Sequence, residues 1–453
     1  MANAISIGVV AKRSAGVAGV AAGALLFLMV AHRAFGGGKS DVIQNNAAQM
    51  IADGQNTFRY DTFGDEAFWG GTLKLHQAIE GSAHGGLGAG VSPKTALSVG
   101  LKIDADALPA ALVQQVQHGA VNLDDPETTL ALLQLNAVLG ITGFFNPDGS
   151  LQSIGIQCAL CHSTVDNSFS APGIPVGNVG HRLDGWANRD LNVGAIVNLA
   201  PDLSVPDLVL GVDDATLRKI LLAWGPGKFD AEVFMDGKGF RPDGGSAAVL
   251  IPPAYGLAGF NLHTWTGWGS VTYWNAFVAN LEMHGRGRFF DPRLNNSTQF
   301  PIAVKNGFFD VQVDPAADRI TPKLAALHFY QLAIPAPKLP FNPLNYPASR
   351  GKALFNGKAQ CSTCHTPPLY TEPGWNSHAP AEVCVDNFQA SRAPDQRYRT
   401  APLAGLFFHQ KGGFYHDGRF QTLGDVVSHY NDCMNLQLSG DEQSDLVQFL
   451  LTL

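Results

Sequence analysis

The stretch CALCHS at residues 158–163 has a counterpart in CSTCHT at residues 361–366. Each contains Cys-x-x-Cys followed directly by His, which is the attachment pattern of c-type haem. Two thiols at this spacing face the two vinyl groups of one porphyrin and form thioether bonds, and the adjacent imidazole becomes the proximal ligand of the iron. We therefore expect two covalently bound haem c groups, held by two equivalent sets of residues: Cys158, Cys161 and His162, and Cys361, Cys364 and His365.

Two other uses of paired cysteines fit this pattern less well. A zinc ribbon commonly has a much shorter gap between its pairs than the one between Cys158 and Cys361, and it has no need of both following histidines. A thioredoxin-like dithiol uses a single pair in a βαβ setting. The remaining cysteines, Cys384 and Cys433, form either a disulfide of an exported protein or two free thiols, and the disulfide is the preferred interpretation.

The composition indicates a globular protein of two or three domains. The chain has 453 residues, of which 45% are hydrophobic and 15% are charged, so it is long enough to bury sizeable cores. Its net charge of −8 argues against a nucleic-acid partner, since no basic stripe is present to neutralise phosphates.

The N-terminus has the pattern of an export signal. Lys12 and Arg13 precede the apolar run SAGVAGVAAGALLFLMVA at 14–31, which has about the length that spans a bilayer. Residues 1–36 are therefore predicted to be a signal peptide or a membrane anchor, and both alternatives remain open. In either case the rest of the protein is expected in the periplasm, tethered to the inner membrane if the segment is retained.

The remaining chain is predicted to be mainly α-helical, with long loops. Residues 40–156 read as an N-terminal helical extension, with a turn at NPDGS (146–150). A first cytochrome c-like haem domain is predicted at 157–335 and a second at 346–453, separated by a proline-rich linker. The last segment, SGDEQSDLVQFLLTL, reads as an amphipathic helix capped by Ser439 or Asp441.

A weak internal repeat suggests that the two haem domains are related. PAYGL (253–257) precedes WTG (265–267), and PLAGL (402–406) precedes HDG (416–418). Each copy lies downstream of its own Cys-x-x-Cys-His segment.

Several motifs resemble those of the bacterial di-haem cytochrome c peroxidases and the related MauG-type enzymes. YRTAPLAGLFFHQKGGFYHDGRFQTLGDVVSHYND (398–432) resembles their Arg-Thr-Pro-x-Leu, Phe-His-Asp-Gly and following amphipathic helix. VGNVGHRLDGW, HTWTGW and NLEM resemble more loosely their Ile-Gly-His, Phe-Trp-Asp-Gly and Asn-Pro-x-Glu-Met segments. The resemblance runs with gaps over about 157–453 and leaves residues 40–156 and much of 185–250 outside it.

For the first haem, the resemblance implies three roles. His181 matches a distal ligand that can leave the iron on activation, and Glu282 matches the carboxylate that moves a proton between the peroxide oxygens. Trp265 matches a tryptophan placed between the two haems. The alternatives are a histidine in a loop, an exposed helical glutamate and an aromatic residue of the core.

For the second haem, the resemblance implies a ligand like that of the MauG-type enzymes rather than that of the peroxidases. The position that carries methionine in the peroxidases is Tyr430 here, as in the MauG-type enzymes. A phenolate favours ferric and higher oxidation states, whereas a thioether favours ferrous iron. Met434, one helical turn further on, ranks second as a ligand and His429 third.

The function implied is that of an exported di-haem oxidoreductase, peroxidase-like, in which peroxide is activated at the first haem with electrons supplied through the second. A small redox protein is the expected electron partner, and peroxide or a small organic molecule is the expected substrate. One alternative is a non-catalytic periplasmic electron-transfer cytochrome. Another is MauG-like or oxygenase-like oxidation of an organic or protein substrate. Calcium between the domains remains an option for which the sequence offers no ligands.

Overall fold

The structure is a computed structural model that describes residues 41–339 and 345–453. The predicted signal peptide or anchor, residues 1–36, lies outside the described residues. Within the described ranges, no helix combines the length and the apolar character needed to cross a membrane. The chain divides into two compact units, Met1–Gln49 and Met50–Leu453, and both haem motifs lie in the second.

The described part of the chain is rich in helices, as predicted, and adds only small sheets. Its α-helices are Val42–Tyr60, Leu75–Glu80, Pro93–Ser98, Ala110–Gln117, Pro126–Gln134, Ala159–His162, Val193–Val197, Ser204–Leu210, Asp214–Trp224, Val233–Asp236, Val271–Phe277, Pro301–Asn306, Leu324–Ala333, Tyr346–Asn356, Leu423–Cys433 and Gly440–Leu450. The strands form two-stranded pairs: Ile103–Asp104 with Val179–Gly180, Ile141–Phe145 with Leu151–Ile156, Ser163–Val165 with Arg182–Asp184, Lys228–Phe229 with Val249–Leu250, and Phe289–Phe290 with Asp310–Val311.

The N-terminal extension is only partly helical. Its last part is an antiparallel hairpin in which Ile141 pairs with Ile156 across the predicted turn at 146–150. The turn is closed by the Asn146 amide, which donates to the carbonyl of Ser150 at 2.9 Å. β-Branched and aromatic residues in these strands favour the pleated, half-buried surface of a hairpin.

The largest core contains residues from Trp69 to Ile251 and joins the extension to the segment that follows the first haem motif. Helix Asp214–Trp224 shows how the sequence builds it. The side chain of Asp213 accepts from the amide of Thr216 at 2.8 Å and caps the first turn. The apolar face of this helix is buried at Leu217, Ile220, Leu221 and Trp224, and each such side chain contributes about 1.5–3 kcal/mol.

The residues after the linker have a hydrophobic core of their own, built around helices Tyr346–Asn356 and Gly440–Leu450. The helices approach closely at Gly351, where an added Cβ would lie 2.0 Å from the carbonyl oxygen of Asp445. Phe355 and Phe449 pack edge to face, with ring centroids 5.2 Å apart. Ser439 and Glu442 form a capping box at the start of the second helix, which confirms the predicted cap.

The internal repeat has a structural counterpart. A bridge between His263 and Gly269 encloses the WTG segment, and a bridge between Phe414 and Phe420 encloses the HDG segment. A helix follows each bridge, Val271–Phe277 in one copy and Leu423–Cys433 in the other. The two copies therefore share a local turn-helix unit. The division into two haem domains stays a prediction.

The predicted disulfide is present. Cys384 and Cys433 are bonded, with their Cα atoms 6.0 Å apart, a separation usual for disulfides. The bond links Cys433, the last residue of helix Leu423–Cys433, to Cys384, which lies in the irregular segment before that helix.

Candidate haem sites

The first Cys-x-x-Cys-His segment is held between the hairpin and a short strand. Helix Ala159–His162 follows strand Leu151–Ile156, and strand Ser163–Val165 comes directly after it. The amide of His162 donates to the carbonyl of Cys158 at 3.1 Å, so the helical turn brings both cysteines and the histidine together. All three side chains line one cavity.

This cavity has a volume of about 260 Å³ and mainly apolar walls. Apolar residues from the extension form part of the wall: Trp69, Leu75, Ile141, Ile154 and Ile156. Trp265 and Glu282 line the same space. The structure therefore brings together five predicted residues of the first site, and residues of the extension help to cover them: Cys158, Cys161, His162, Trp265 and Glu282.

The chemistry of these side chains fits a covalent haem. Burial raises the pKa values of the Cys158 and Cys161 thiols to about 12, so both are neutral thiols inside an apolar cavity. Burial lowers the pKa of His162 to about 4, so its imidazole is neutral. Neutral imidazole is the form that ligates iron.

A half-buried cation in the cavity wall also fits a porphyrin. The Arg399 guanidinium lines the cavity and donates to the carbonyl oxygens of Thr264 and Leu262, the latter at 3.1 Å. Burial lowers its pKa to about 9. Among the described residues no carboxylate pairs with it, and a haem propionate would supply the missing anion.

Glu282 ends a short π-helical segment, Val278–Glu282, that continues helix Val271–Phe277. Such segments often occur at functional sites. Burial raises the pKa of the Glu282 carboxyl well above its usual value, and the negative charges of Glu232 and Asp230 add to the increase. Its buried Oε1 atom has no hydrogen-bond partner among the described residues. A carboxyl group that holds its proton more tightly than an exposed glutamate therefore borders the cavity.

Trp265 connects the cavity to the second half of the chain through the backbone. Its indole Nε1 donates to the carbonyl of Leu250 at 2.7 Å. The amide of Leu250 in turn donates to the carbonyl of His416 at 2.7 Å. The tryptophan predicted to lie between the haems thus has a hydrogen-bonded link to the HDG segment.

The structure does not bring His181 to the cavity. His181 lies between strands Val179–Gly180 and Arg182–Asp184, and its side chain is 59% exposed. Its Nδ1 atom is 2.7 Å from a carboxylate oxygen of Asp106, and this partner raises the pKa of the imidazole. Its role as an exchangeable iron ligand stays a prediction, and it would require this loop to move.

The second Cys-x-x-Cys-His segment has a fixed proximal histidine. Cys361–Thr363 forms a 3₁₀ turn, and His365 follows it. The Nδ1–H of His365 donates to the carbonyl of Tyr370 at 3.2 Å, the kind of outer contact that orients a metal-ligating imidazole. Burial lowers the pKa of His365, so this imidazole is also neutral.

The three candidate partners of the second haem differ in burial. Tyr430 is half-buried, and burial raises its pKa. Met434 is 43% exposed just beyond helix Leu423–Cys433. His429 is engaged through Nε2 with the carbonyl of Val383 at 3.1 Å. These positions agree with ranking Tyr430 first, while ligation itself stays a prediction.

A group of charged residues next to the first cavity was missed from the sequence. Arg392 is fully buried and lies 2.9 Å from Asp230 and 2.8 Å from Asp236. Glu232 lines the cavity, as does Gln389. No spacing in the sequence links these positions, because the two segments are far apart along the chain.

Among the described residues, the structure offers no set of oxygen ligands for the calcium ion considered above. In the ranges that the structure describes, the cluster of potential metal ligands comprises Cys364, Glu372 and His378. Calcium prefers six to eight oxygen ligands, and Cys364 belongs to the haem motif. Calcium therefore remains an untested option.

Comparison with known proteins supports the resemblance drawn from the motifs. No family model matches the chain. The chain is 25% identical over 238 residues to the methylamine utilization protein MauG of Methylorubrum extorquens, an alignment that covers 45% of this chain and 63% of that protein. It is 30% identical over 147 residues to the cytochrome-c peroxidase IdrP2 of a Pseudomonas species, covering 23% of this chain and 39% of that protein. The predicted resemblance to MauG-type and peroxidase-type di-haem proteins is confirmed, although the chain spans less than two thirds of the length of either relative.

Two solved structures also align with parts of the chain. One is a MauG-like protein associated with microbial copper homeostasis, with 18% identity, 48% of this chain and 76% of that chain covered, and a TM-score of 0.31. The other is the hydrazine synthase of Kuenenia stuttgartiensis, with 15% identity, 49% and 86% covered, and a TM-score of 0.31. These scores are too low to support an argument about fold or function.

Proposed function

We propose that this chain is an exported di-haem c-type oxidoreductase of the peroxidase type, which reduces peroxide at the first haem site with electrons that enter through the second. The observation that carries the proposal is the cavity in which His162 shares one space with the carboxyl group of Glu282, whose pKa is raised by burial. The similarity to a MauG and to a cytochrome-c peroxidase supports it.

The residues around the cavity hold the cofactor and exclude water. Cys158 and Cys161 would attach the haem, His162 would ligate its iron, and Arg399 would neutralise a propionate. When bound, the haem supplies an iron that takes up an oxidant and exchanges electrons with it. The apolar walls keep bulk water from the reacting atoms and strengthen the electrostatic interactions inside the cavity.

Glu282 supplies the proton transfer. Reduction of hydrogen peroxide consumes two electrons and two protons and yields two water molecules. In its ionised form, Glu282 accepts the proton of one peroxide oxygen and delivers it to the other, which departs as water when the O–O bond breaks. General acid–base catalysis of this kind contributes about 10²–10⁴-fold to a rate.

Electrons reach the first site from the second in this proposal. The Trp265 ring borders the first cavity, and the Leu250 backbone links it to His416. A small periplasmic redox protein would restore the electrons at the second haem. The Cys384–Cys433 disulfide and the N-terminal apolar run support an oxidising compartment outside the cytoplasm.

A second candidate function is oxidation of an organic or protein substrate. The more enclosed position of Tyr430 and the exposure of Met434 favour it. A phenolate ligand would suit the second haem to sharing oxidising equivalents rather than to storing a ready electron. Product analysis after peroxide addition, with and without a reduced electron donor, distinguishes the two functions.

The test of the main proposal is the reaction of the holoprotein with hydrogen peroxide. Optical and electron paramagnetic resonance spectra are recorded for the oxidised and half-reduced protein, before and after peroxide is added. Glu282→Gln should leave the resting spectra unchanged and slow the peroxide-dependent change by about 10²–10⁴-fold. The matched control is Glu127→Gln, which alters an exposed carboxylate. It should change neither the resting spectra nor the rate of the peroxide-dependent change. Spectra of the wild-type protein that do not respond to peroxide would contradict the proposal and favour an electron carrier.

A further inference from the structure

The carboxylate of Asp184 connects three separate segments of the chain, and its side chain is 5% exposed. Its Oδ2 atom accepts from the Nε–H of Arg59 at 2.5 Å and from the hydroxyl of Tyr330 at 2.5 Å. Its Oδ1 atom accepts from the hydroxyl of Ser163 at 2.9 Å. Ser163 comes directly after the first haem motif, so one carboxylate joins that motif to two helices that lie far from it in the sequence.

The backbone next to Asp184 holds the same motif. Asp184 lies opposite Ser163 in an antiparallel pair of short strands. The amide of Gly185 donates to the carbonyl of His162 at 2.8 Å. The backbone of His162 is therefore held by the residue that follows Asp184, while the side chain of Asp184 holds the residue that follows His162.

The groups around Asp184 match a carboxylate with three donors. Arg59 brings a positive charge, and its side chain is 26% exposed. Burial raises the pKa of Tyr330 to about 12, and the hydrogen bond to Asp184 adds to the increase, so Tyr330 keeps its proton and donates it. Ser163 has no exposed surface. A carboxylate offers these donors two accepting oxygens, whereas the amide of an asparagine offers one.

We propose that Asp184 is a positioning residue for His162, the proximal histidine of the first haem site, and that it acts through Ser163 and the strand pair. The inference rests on the proposed function for the reaction it serves, but the hydrogen bonds that carry it belong to the protein alone. Outer contacts that orient a metal-ligating histidine contribute about 10–100-fold to metal affinity or activity. Through Arg59, the N-terminal extension takes part in holding the first site.

The two proximal histidines are held in different ways. His365 donates to the carbonyl of Tyr370, five positions further along the chain, so its contact is local. The contacts that hold His162 pass through Asp184 to Arg59 and Tyr330, which lie 125 and 146 positions from Asp184. A change at Asp184 should therefore disturb one haem and leave the other as an internal reference.

The experiment compares electron paramagnetic resonance spectra of the oxidised holoprotein with those of two variants. Asp184→Asn keeps the size of the side chain but has one accepting oxygen for three donors, and Ser163→Ala removes the contact with the motif alone. Both variants should shift the same one of the two haem signals and leave the other unchanged. In the reaction with hydrogen peroxide, Asp184→Asn should be about 10–100-fold slower. The double variant should be no slower than Asp184→Asn, because both changes break one connection.

The matched control is Asp291→Asn. Asp291 has a side chain that is 4% exposed, and it accepts from the hydroxyl of Tyr273 at 2.8 Å and pairs with Arg293 at 2.8 Å. Neither of these partners belongs to a haem motif. Asp291→Asn should lower the denaturant midpoint much as Asp184→Asn does, yet leave both haem signals and the rate of the peroxide reaction unchanged.

The outcomes separate a positioning role from a general loss of stability. Unchanged haem signals in both Asp184→Asn and Ser163→Ala, or an equal shift in Asp291→Asn, would overturn the inference. If Asp184→Asn does not bind haem, Ser163→Ala decides, because it leaves the pair of Asp184 and Arg59 in place. A wild-type protein that fails to react with peroxide, while both variants shift one haem signal, would refute the proposed reaction and support the positioning role.

Discussion

Replacing Arg392 with methionine tests whether the buried charges beside the first cavity hold the two halves of the haem-binding region together. The Arg392 side chain is fully buried, and it joins a residue after the linker to Asp230 and Asp236 before it. Its guanidinium also donates to the carbonyl of Ala247 at 3.2 Å. Methionine fills much of the same volume but leaves both carboxylates without their cation.

The expected cost is large because the carboxylates are as buried as the arginine. The Asp230 and Asp236 side chains have no exposed surface. Breaking a buried ion pair by removing one partner costs about 3–5 kcal/mol, against a total free energy of unfolding of about 5–15 kcal/mol for a typical domain. The loss should grow with pH. Burial already raises the native-state pKa of Asp230 against the opposing charge of Arg392. Without that cation this pKa rises further, so the native state binds more protons and loses stability as pH increases through it.

The assay is denaturant unfolding of the holoprotein at about pH 5 and about pH 8, followed by absorbance and circular dichroism. A triple variant removes the unpaired charges and should recover most of the loss; it combines Arg392→Met, Asp230→Asn and Asp236→Asn. Lys94→Met is the surface control, since its partner Asp124 is exposed, and it should cost about 1 kcal/mol or less. A loss below about 1 kcal/mol for Arg392→Met, or the same loss at both pH values, would refute the reasoning.

Two further predictions concern the second haem and its surroundings. Tyr430→Phe should change the optical and electron paramagnetic resonance signals of one haem, whereas Met434→Leu should leave both haems unchanged; the opposite result would identify Met434 as the ligand. Replacing Cys384 and Cys433 by serine removes a cross-link between residues 49 positions apart, which should lower the free energy of unfolding by about 4 kcal/mol in the chain-entropy model. Unchanged denaturant midpoints in the double serine variant would show that the bond adds little to stability.

The parts of the molecule that could be predicted from the sequence are those with short, local patterns. Cys-x-x-Cys-His fixes the residues that attach haem, and the capped helix Gly440–Leu450 follows from Ser439 and the apolar face. Glu282 and Trp265 were found through motif resemblance, and the structure places both at the cavity of His162. His181 shows the limit of that approach, because a matching motif gives a residue type but not the direction in which its loop faces.

The remaining features depend on contacts between distant segments. Arg392 meets Asp236 across 156 positions of the chain, and no periodicity links them. The sequence predicts only a turn at 146–150 within a helical extension, whereas the structure has a hairpin at 141–156. Its strands contain Gly143 and Gly155 and are short, so they give a weak alternation of apolar and polar residues. Packing against the cavity, rather than the local pattern, decides their conformation.

The N-terminal extension, residues 40–156, contributes to the burial of Glu282, which lies outside it. Trp69 donates from its indole Nε1 to the carbonyl of Met283 at 3.0 Å, next to Glu282. Phe68 stacks on His284, with ring centroids 3.6 Å apart. These contacts fasten the extension to the segment that carries the Glu282 carboxyl. Burial is the largest cause of the raised pKa of Glu282, and Trp69 and the hairpin contribute to that burial by lining the cavity. The motif that resembles the peroxidases therefore supplies the carboxyl group, while residues beyond that resemblance help to bury it and so to raise its pKa.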